Sequence, residues 1–210
     1  MASTTEYPLQ SKHMSLSTNL KNNGIVVYEN FVSTSEIEVL LEFFDDYQDS
    51  FELINNSVYL LGFGQDNFPA SSLFNSPNKF SDILPRGKVQ VLRDYYKKVE
   101  QVVGGDIKKD VAMSALWFVK TVSGGFPEHG DNEPDALYQY EQTCILYLND
   151  CEEGGEIVLP QFNYEFLPKA GSLLSFPSNH IHGVTPVSHP RYTMPSWLSE
   201  DKTYSLENYL

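Results

Sequence analysis

Residues 172–197 read SLLSFPSNHIHGVTPVSHPRYTMPSW. This stretch holds three short runs, Ser172–Phe176, His182–Val187 and Arg191–Trp197, separated by segments rich in Pro, Ser and Asn. Runs of that length, with β-branched and aromatic residues between turn formers, predict strands. The same texture extends back through Glu156–Leu159 and Gln142–Leu148 to Val111–Thr121. Before Val111 the periodicity is helical. Ser33 and Glu36 form a capping-box pattern, and behind it Ile37, Leu40, Leu41 and Phe44 recur at i, i+3, i+4 and i+7, predicting a helix that ends near Tyr47. Val89, Leu92, Tyr96, Val99 and Val103 predict a second helix, with Gly104-Gly105 as its stop. Helices first and antiparallel strands afterwards define an α+β fold, mainly β, whose second half is a sandwich or barrel.

The short β-rich run Gly24–Tyr28 opens this fold, so residues 1–20 are expected to form a disordered or irregular arm and 21–210 one domain. Its 210 residues are enough for a core that buries about 70% of the unfolded chain's surface without staples. Residues 62–85, between the two helices, are rich in Gly, Pro, Asn and Ser and longer than an ordinary connection. They read equally well as a substrate lid or as a floppy insertion.

Twenty-eight acidic residues against fourteen basic ones leave a net charge of -14, which repels a polyanion and argues against nucleic acid as a partner. Cys144 and Cys151 are too few for a disulfide framework, and an extended strand would hold them roughly 23 Å apart. The polar, Ser/Thr-rich beginning lacks the apolar core of a signal peptide, and no segment approaches a membrane span. The expectation is a soluble cytoplasmic protein with no membrane partner.

His129-Gly-Asp131 places an imidazole and a carboxylate on the same face of an extended segment, where they can share one metal ion. A second imidazole comes from the strand-rich end, where His180 and His182 again share a face and either could reach the metal. Two His and one carboxylate make a facial triad that suits Fe(II) and leaves coordination positions open for a chelating acid and O2. A closed structural site would need about four Cys or His ligands, a set this sequence does not contain. Arg191 adds a permanent cation whose planar fork matches a carboxylate. Thr143, Ile145 and Tyr147 alternate onto one strand face, while Arg191 and Trp197 share strand parity, making Tyr147 and Trp197 candidate pocket residues.

Residues 24–198 resemble the 2-oxoglutarate and Fe(II)-dependent oxygenases, most closely the prolyl 4-hydroxylase-like branch. The similar stretches are VKTVSGGFPEHGD (119–131), TCILYLN (143–149), GGEIVLP (154–160), PKAGSLLSFP (168–177) and His182–Trp197, matching jointly in order and spacing. The resemblance implies a double-stranded β-helix, or jelly-roll, with supporting N-terminal helices. It implies His129, Asp131 and His182 as Fe(II) ligands, Arg191 as partner of the far carboxylate of 2-oxoglutarate, and Tyr147 as a further donor to it. His182 is preferred over His180 because it opens the HGVTPV run and precedes Arg191 by the nine residues some relatives use. Thr143 and Trp197 are placed at the co-substrate pocket. O2 is consumed and ascorbate helps to keep the iron reduced.

The implied activity is a dioxygenase that hydroxylates proline in a peptide or protein, like a procollagen-proline 4-dioxygenase. Two other readings are the same chemistry on a free amino acid or small metabolite, and a non-catalytic metal-binding jelly-roll. The last has no use for a buried cation at the position of Arg191.

Overall fold

A computed structural model of the chain describes residues 20–54, 57–64, 86–132 and 139–208. Among them are the helices α1 (Thr34–Asp46) and α2 (Arg86–Ile107). The strands are β1 (Val26–Tyr28), β2 (Glu52–Ile54), β3 (Val58–Gly64), β4 (Ala112–Thr121), β5 (Gly124–His129), β6 (Gln142–Tyr147), β7 (Ile157–Leu159), β8 (Tyr164–Phe166), β9 (Leu173–Pro177), β10 (His182–Val187) and β11 (Arg191–Ser199). A seven-stranded sheet has the order β1-β9-β6-β11-β4-β3-β2, and a four-stranded sheet the order β5-β10-β7-β8. Every strand pair is antiparallel, as the jelly-roll expectation requires.

The larger sheet is covered on both faces, which explains why β6 is buried at every position instead of alternating. Cys144, Leu146 and Leu148 join the hydrophobic cluster beneath the helices, whereas Ile145 and Tyr147 join a second cluster with Ile157 and Leu159 of the smaller sheet. β4 divides in the same way. Leu116 and Phe118 lie in the helix-side cluster, and Trp117, Val119 and Thr121 line a cavity on the opposite face. Phe118 stacks on Phe43 of α1 at 4.8 Å between ring centroids. Both rings are fully buried, each contributing about 1.5–3 kcal/mol relative to exposure. The helices thus brace the sheet from behind and leave its inner face for a site.

α1 begins as expected. Ser33 Oγ accepts from the Glu36 backbone N–H, and the Glu36 carboxylate accepts from the Ser33 N–H, so two otherwise unpaired helix donors are satisfied. α2 corrects the expectation of a stop at Gly104-Gly105, because it continues to Ile107 and Lys108 takes the left-handed turn with φ 57°. The Lys109 N–H then reaches back to the Gly104 carbonyl at 3.0 Å. Gly104 is there for close approach, since a Cβ would meet the Lys109 carbonyl oxygen at 3.0 Å.

Four strands escaped the sequence reading: β2, β3, β5 and β8. β5 reads GGFPEH, and its two glycines and Pro127 look like a turn; its place at a sheet edge is where a strand tolerates proline. Leu20, the first described residue, is buried in the cluster between the sheets. Residues 1–19, and 65–85 of the expected lid, lie outside the described residues. Cys144 and Cys151 are both free and buried. No helix among the described residues is long and apolar enough to cross a membrane.

Candidate active site

Strand register builds the site. Across β3, β4 and β11, Val58 pairs with Thr121 and Thr121 with Arg191, while Leu60 pairs with Val119 and Val119 with Thr193. Further along β11, Trp197 pairs with Thr143 of β6. These inward side chains form the floor of a cavity of about 150 Å³ whose other wall carries His129, Asp131 and His182. Val58, Leu60, Trp117 and Thr121 were not singled out from the sequence. The odd-numbered alternation from Ala115 to Thr121 was legible, but which odd face met Arg191 depends on register.

His129 and His182 are direct partners across β5 and β10, and Asp131 follows two residues beyond the strand end. His129 Nε2 lies 3.8 Å from Asp131 Oδ1, and His182 Nε2 lies 3.9 Å from Asp131 Oδ2. These separations are too long for hydrogen bonds, so the three groups surround a gap instead of bonding one another. One ligand atom from each lies within 4.8 Å of the other two. His129 Nδ1 is 2.8 Å from the Pro127 carbonyl oxygen and His182 Nδ1 is 3.1 Å from that of His180. A neutral imidazole donating there keeps its Nε2 lone pair free and aimed at the gap. Burial pulls the His182 pKa below the ordinary histidine value against the opposing pull of Asp131, which favours the neutral, ligating form.

The Asp131 side chain is only 8% exposed, against 36% for His129. The Asp131 N–H donates to the Ser178 carbonyl at 3.0 Å, and the Thr143 hydroxyl donates a short hydrogen bond to its carboxylate. Thr143 Oγ1 also lies 2.9 Å from the fully buried Ser178 Oγ. Thr143, expected at the co-substrate pocket, therefore lines the cavity and fixes the carboxylate. His180 lies outside this group: its Nε2 is 3.2 Å from the Asn23 carbonyl oxygen and its ring packs on Phe162 at 4.8 Å.

Arg191 is 4% exposed. Its Nη1 donates to Thr193 Oγ1 at 3.4 Å, its Nε has no hydrogen-bond partner, and no carboxylate among the described residues pairs with it. Leaving a buried cation uncompensated costs several kcal/mol, so the site is built for an anion that enters from outside. The guanidinium carbon sits 5.3 Å from the centroid of the Tyr147 ring. Burial pushes the Tyr147 hydroxyl up to about 12, with the nearby Arg191 charge opposing, so it remains a protonated donor; it too has no partner. Tyr147 thus adjoins Arg191, and Trp197 lines the cavity with its buried Nε1 unpaired. Two open-sided imidazoles, one carboxylate and an unpaired guanidinium suit a metal ion together with an organic diacid.

Such a jelly-roll, with a three-residue metal set between its sheets and a buried cation on the same cavity, is the frame of a metal-dependent oxygenase. Residues 116–199, the region that carries the three metal-set residues and Arg191, match the family model for the 2OG-Fe(II) oxygenase superfamily. Fe(II) and 2-oxoglutarate are the cofactor and co-substrate that family and triad imply. No curated protein matches the sequence. Solved structures with the same fold include viral collagen prolyl hydroxylase from Paramecium Bursaria Chlorella virus-1, at 17% identity and a TM-score of 0.57 over 83% of this chain and 94% of that one. A prolyl 4-hydroxylase from Phytophthora capsici has 20% identity and a TM-score of 0.64, over 99% of this chain and 71% of that one. A Trichoplax adhaerens prolyl hydroxylase, solved with a hypoxia inducible factor peptide fragment, has 18% identity and a TM-score of 0.56, over 94% and 96%.

Proposed function

We propose that the protein hydroxylates proline residues in a peptide or protein, with His129, Asp131 and His182 holding Fe(II) and Arg191 holding the far carboxylate of 2-oxoglutarate. The observation that carries this reading is the buried, uncompensated guanidinium of Arg191 on the same cavity as the triad. Bound Fe(II), 2-oxoglutarate and O2 supply the oxidising power that turns an unactivated C–H into C–OH as the keto acid becomes succinate and CO2.

The chain supplies position and dryness. The Pro127 and His180 carbonyls orient the two imidazoles, and Thr143 orients the Asp131 carboxylate. Arg191 anchors one end of the diacid, so that its keto-acid end is directed toward the triad. Val58, Leu60, Val119 and Val184 line the cavity with hydrocarbon, which excludes water from the reacting groups. The exposed side of His129, beside the 37%-exposed ring of Phe126, is the mouth through which a substrate enters. The prolyl preference is supported by the hydroxylases of the same fold and by the aromatic, uncharged walls near the triad.

The test is turnover by purified protein with Fe(II), ascorbate and 2-oxoglutarate, scored as succinate and as a mass gain of one oxygen atom in proline-containing peptides and in free amino acids. Peptide oxidation supports the proposal, oxidation of free amino acids alone replaces the substrate class, and absence of succinate overturns the reading.

A further inference from the structure

Along β4 the inward residues Thr121, Val119 and Trp117 face Val58, Leu60 and Gly62 of β3. Two of these pairs set side chain against side chain; in the third, glycine stands opposite tryptophan. A Cβ built on Gly62 would lie 2.9 Å from both Cδ1 and Nε1 of Trp117, closer than real atoms approach. The missing side chain therefore lets the indole lie across β3. From that position it meets Trp197 edge to face, with ring centroids 4.5 Å apart and planes at 65°, and Tyr140 flanks Trp197 at 6.0 Å. Both indoles are cavity walls together with the triad.

The corner has a definite place relative to the chemistry. Trp197 is paired with Thr143, whose hydroxyl holds Asp131, so the indoles stand at the metal end of the sheet. Arg191 lies six residues back from Trp197 along β11, roughly 20 Å by strand rise, and its β4 partner Thr121 lies four residues, roughly 13 Å, from Trp117. The aromatic corner and the anion-binding end are thus separate parts of one cavity, and a diacid anchored at Arg191 leaves the indoles for another occupant.

We infer that Trp117, seated by Gly62, is a specificity-determining residue that with Trp197 receives the target ring of the substrate, an uncharged saturated ring carried within a peptide. This rests on the proposed function and deepens it. Indole faces are electron-rich, and the C–H bonds next to an amide nitrogen are polarised to pack against them. Two faces meeting at a steep angle hold a small ring in one orientation, which decides the C–H presented to the metal. The charged groups lining the cavity are the triad and Arg191, so the described walls offer no separate partner for the ammonium and carboxylate of a free amino acid.

Trp117→Leu, Trp117→Phe and Gly62→Ala are to be compared with wild type for the KM of a proline-containing peptide, the co-substrate KM, and hydroxylated product formed per succinate. Trp117→Leu is expected to raise the peptide KM about tenfold, more than the co-substrate KM, and to lower product per succinate. Trp117→Phe recovers part of both changes, and Gly62→Ala moves both in the same direction by displacing the indole. Circular dichroism verifies that each variant is folded, and Trp117→Phe carries the test if the leucine variant is not. An unchanged peptide KM and product ratio in a folded Trp117 variant, with normal wild-type turnover, overturns the role of Trp117 alone. A Trp117-dependent preference for a protonated amine, which indole faces also attract, overturns the uncharged ring. Absence of wild-type succinate overturns the function on which the inference rests.

Discussion

His129 and His182 stand directly opposite each other across the antiparallel strands β5 and β10, with ring centroids 4.4 Å apart. Residues 53 positions apart are thereby held by one step of a hydrogen-bonded ladder, and the metal set inherits the rigidity of the sheet. His180, on the same parity as His182, is drawn away by Asn23 and Phe162. Purified His182→Ala is therefore expected to lose Fe(II) and turnover, while His180→Ala keeps both. Iron content measured beside succinate production decides it, and the reverse pattern would move the metal set by two residues.

Arg191→Met removes an uncompensated buried cation, so two opposite effects are expected from one substitution. The half-saturating 2-oxoglutarate concentration should rise on the order of a hundredfold or more, because a charge-assisted fork is lost at one end of the diacid. The ligand-free protein should melt no lower than wild type, since its buried charge has no partner. Arg191→Lys should recover some affinity. Titration with 2-oxoglutarate and thermal melts without it are the two measurements, and unchanged co-substrate dependence would make Arg191 merely structural.

Thr143 acts on the metal through Asp131, and Thr143→Val keeps its shape while deleting the hydroxyl. Metal affinity is expected to fall about 10–100-fold, the usual consequence of losing a ligand's hydrogen-bond partner. Thr143→Ser should restore most of it. An iron titration that does not distinguish valine from threonine would remove Thr143 from the site.

The capping box of α1 predicts a stability effect separate from the chemistry. Ser33→Ala should cost about 1 kcal/mol in urea unfolding and leave turnover per folded molecule unchanged. Hydrogen bonds from Ser33 hold the Glu36 carboxyl below its usual range. A lowered folded-state pKa contributes stability that is present above the unfolded value and lost as pH falls through the folded one. The wild-type advantage over Ser33→Ala should therefore shrink as the medium is acidified below the ordinary carboxylate range. An advantage independent of pH would show that Glu36 takes no part in the cap.

Local chemistry was legible in the sequence. Ser33 and Glu36 cap the helix they announced, and the apolar runs on either side of His182 became β9, β10 and β11. Such features are read within a few residues, because helix and strand periods are set by backbone geometry and caps by side chains that reach their own turn. His129, Asp131, His182 and Arg191 were named from residue types and spacing, with the resemblance choosing between two histidines. β5 was hidden because edge pairing, a property of its neighbour β10, makes a strand of a sequence that locally reads as a turn.

Tertiary structure alone decided what these residues do to one another. Thr143 became the holder of Asp131, Tyr147 set its ring against the Arg191 guanidinium, and Gly62 proved to be the space into which Trp117 folds. Each relationship crosses strands distant in sequence, and a shift of register by one residue would turn the inner face of β4 outward. Sequence specifies which side chains a strand carries and how they alternate. The pairing of β3, β4, β6 and β11 specifies which of them meet, because burial on both faces of the sheet leaves only one register in which every apolar row finds cover.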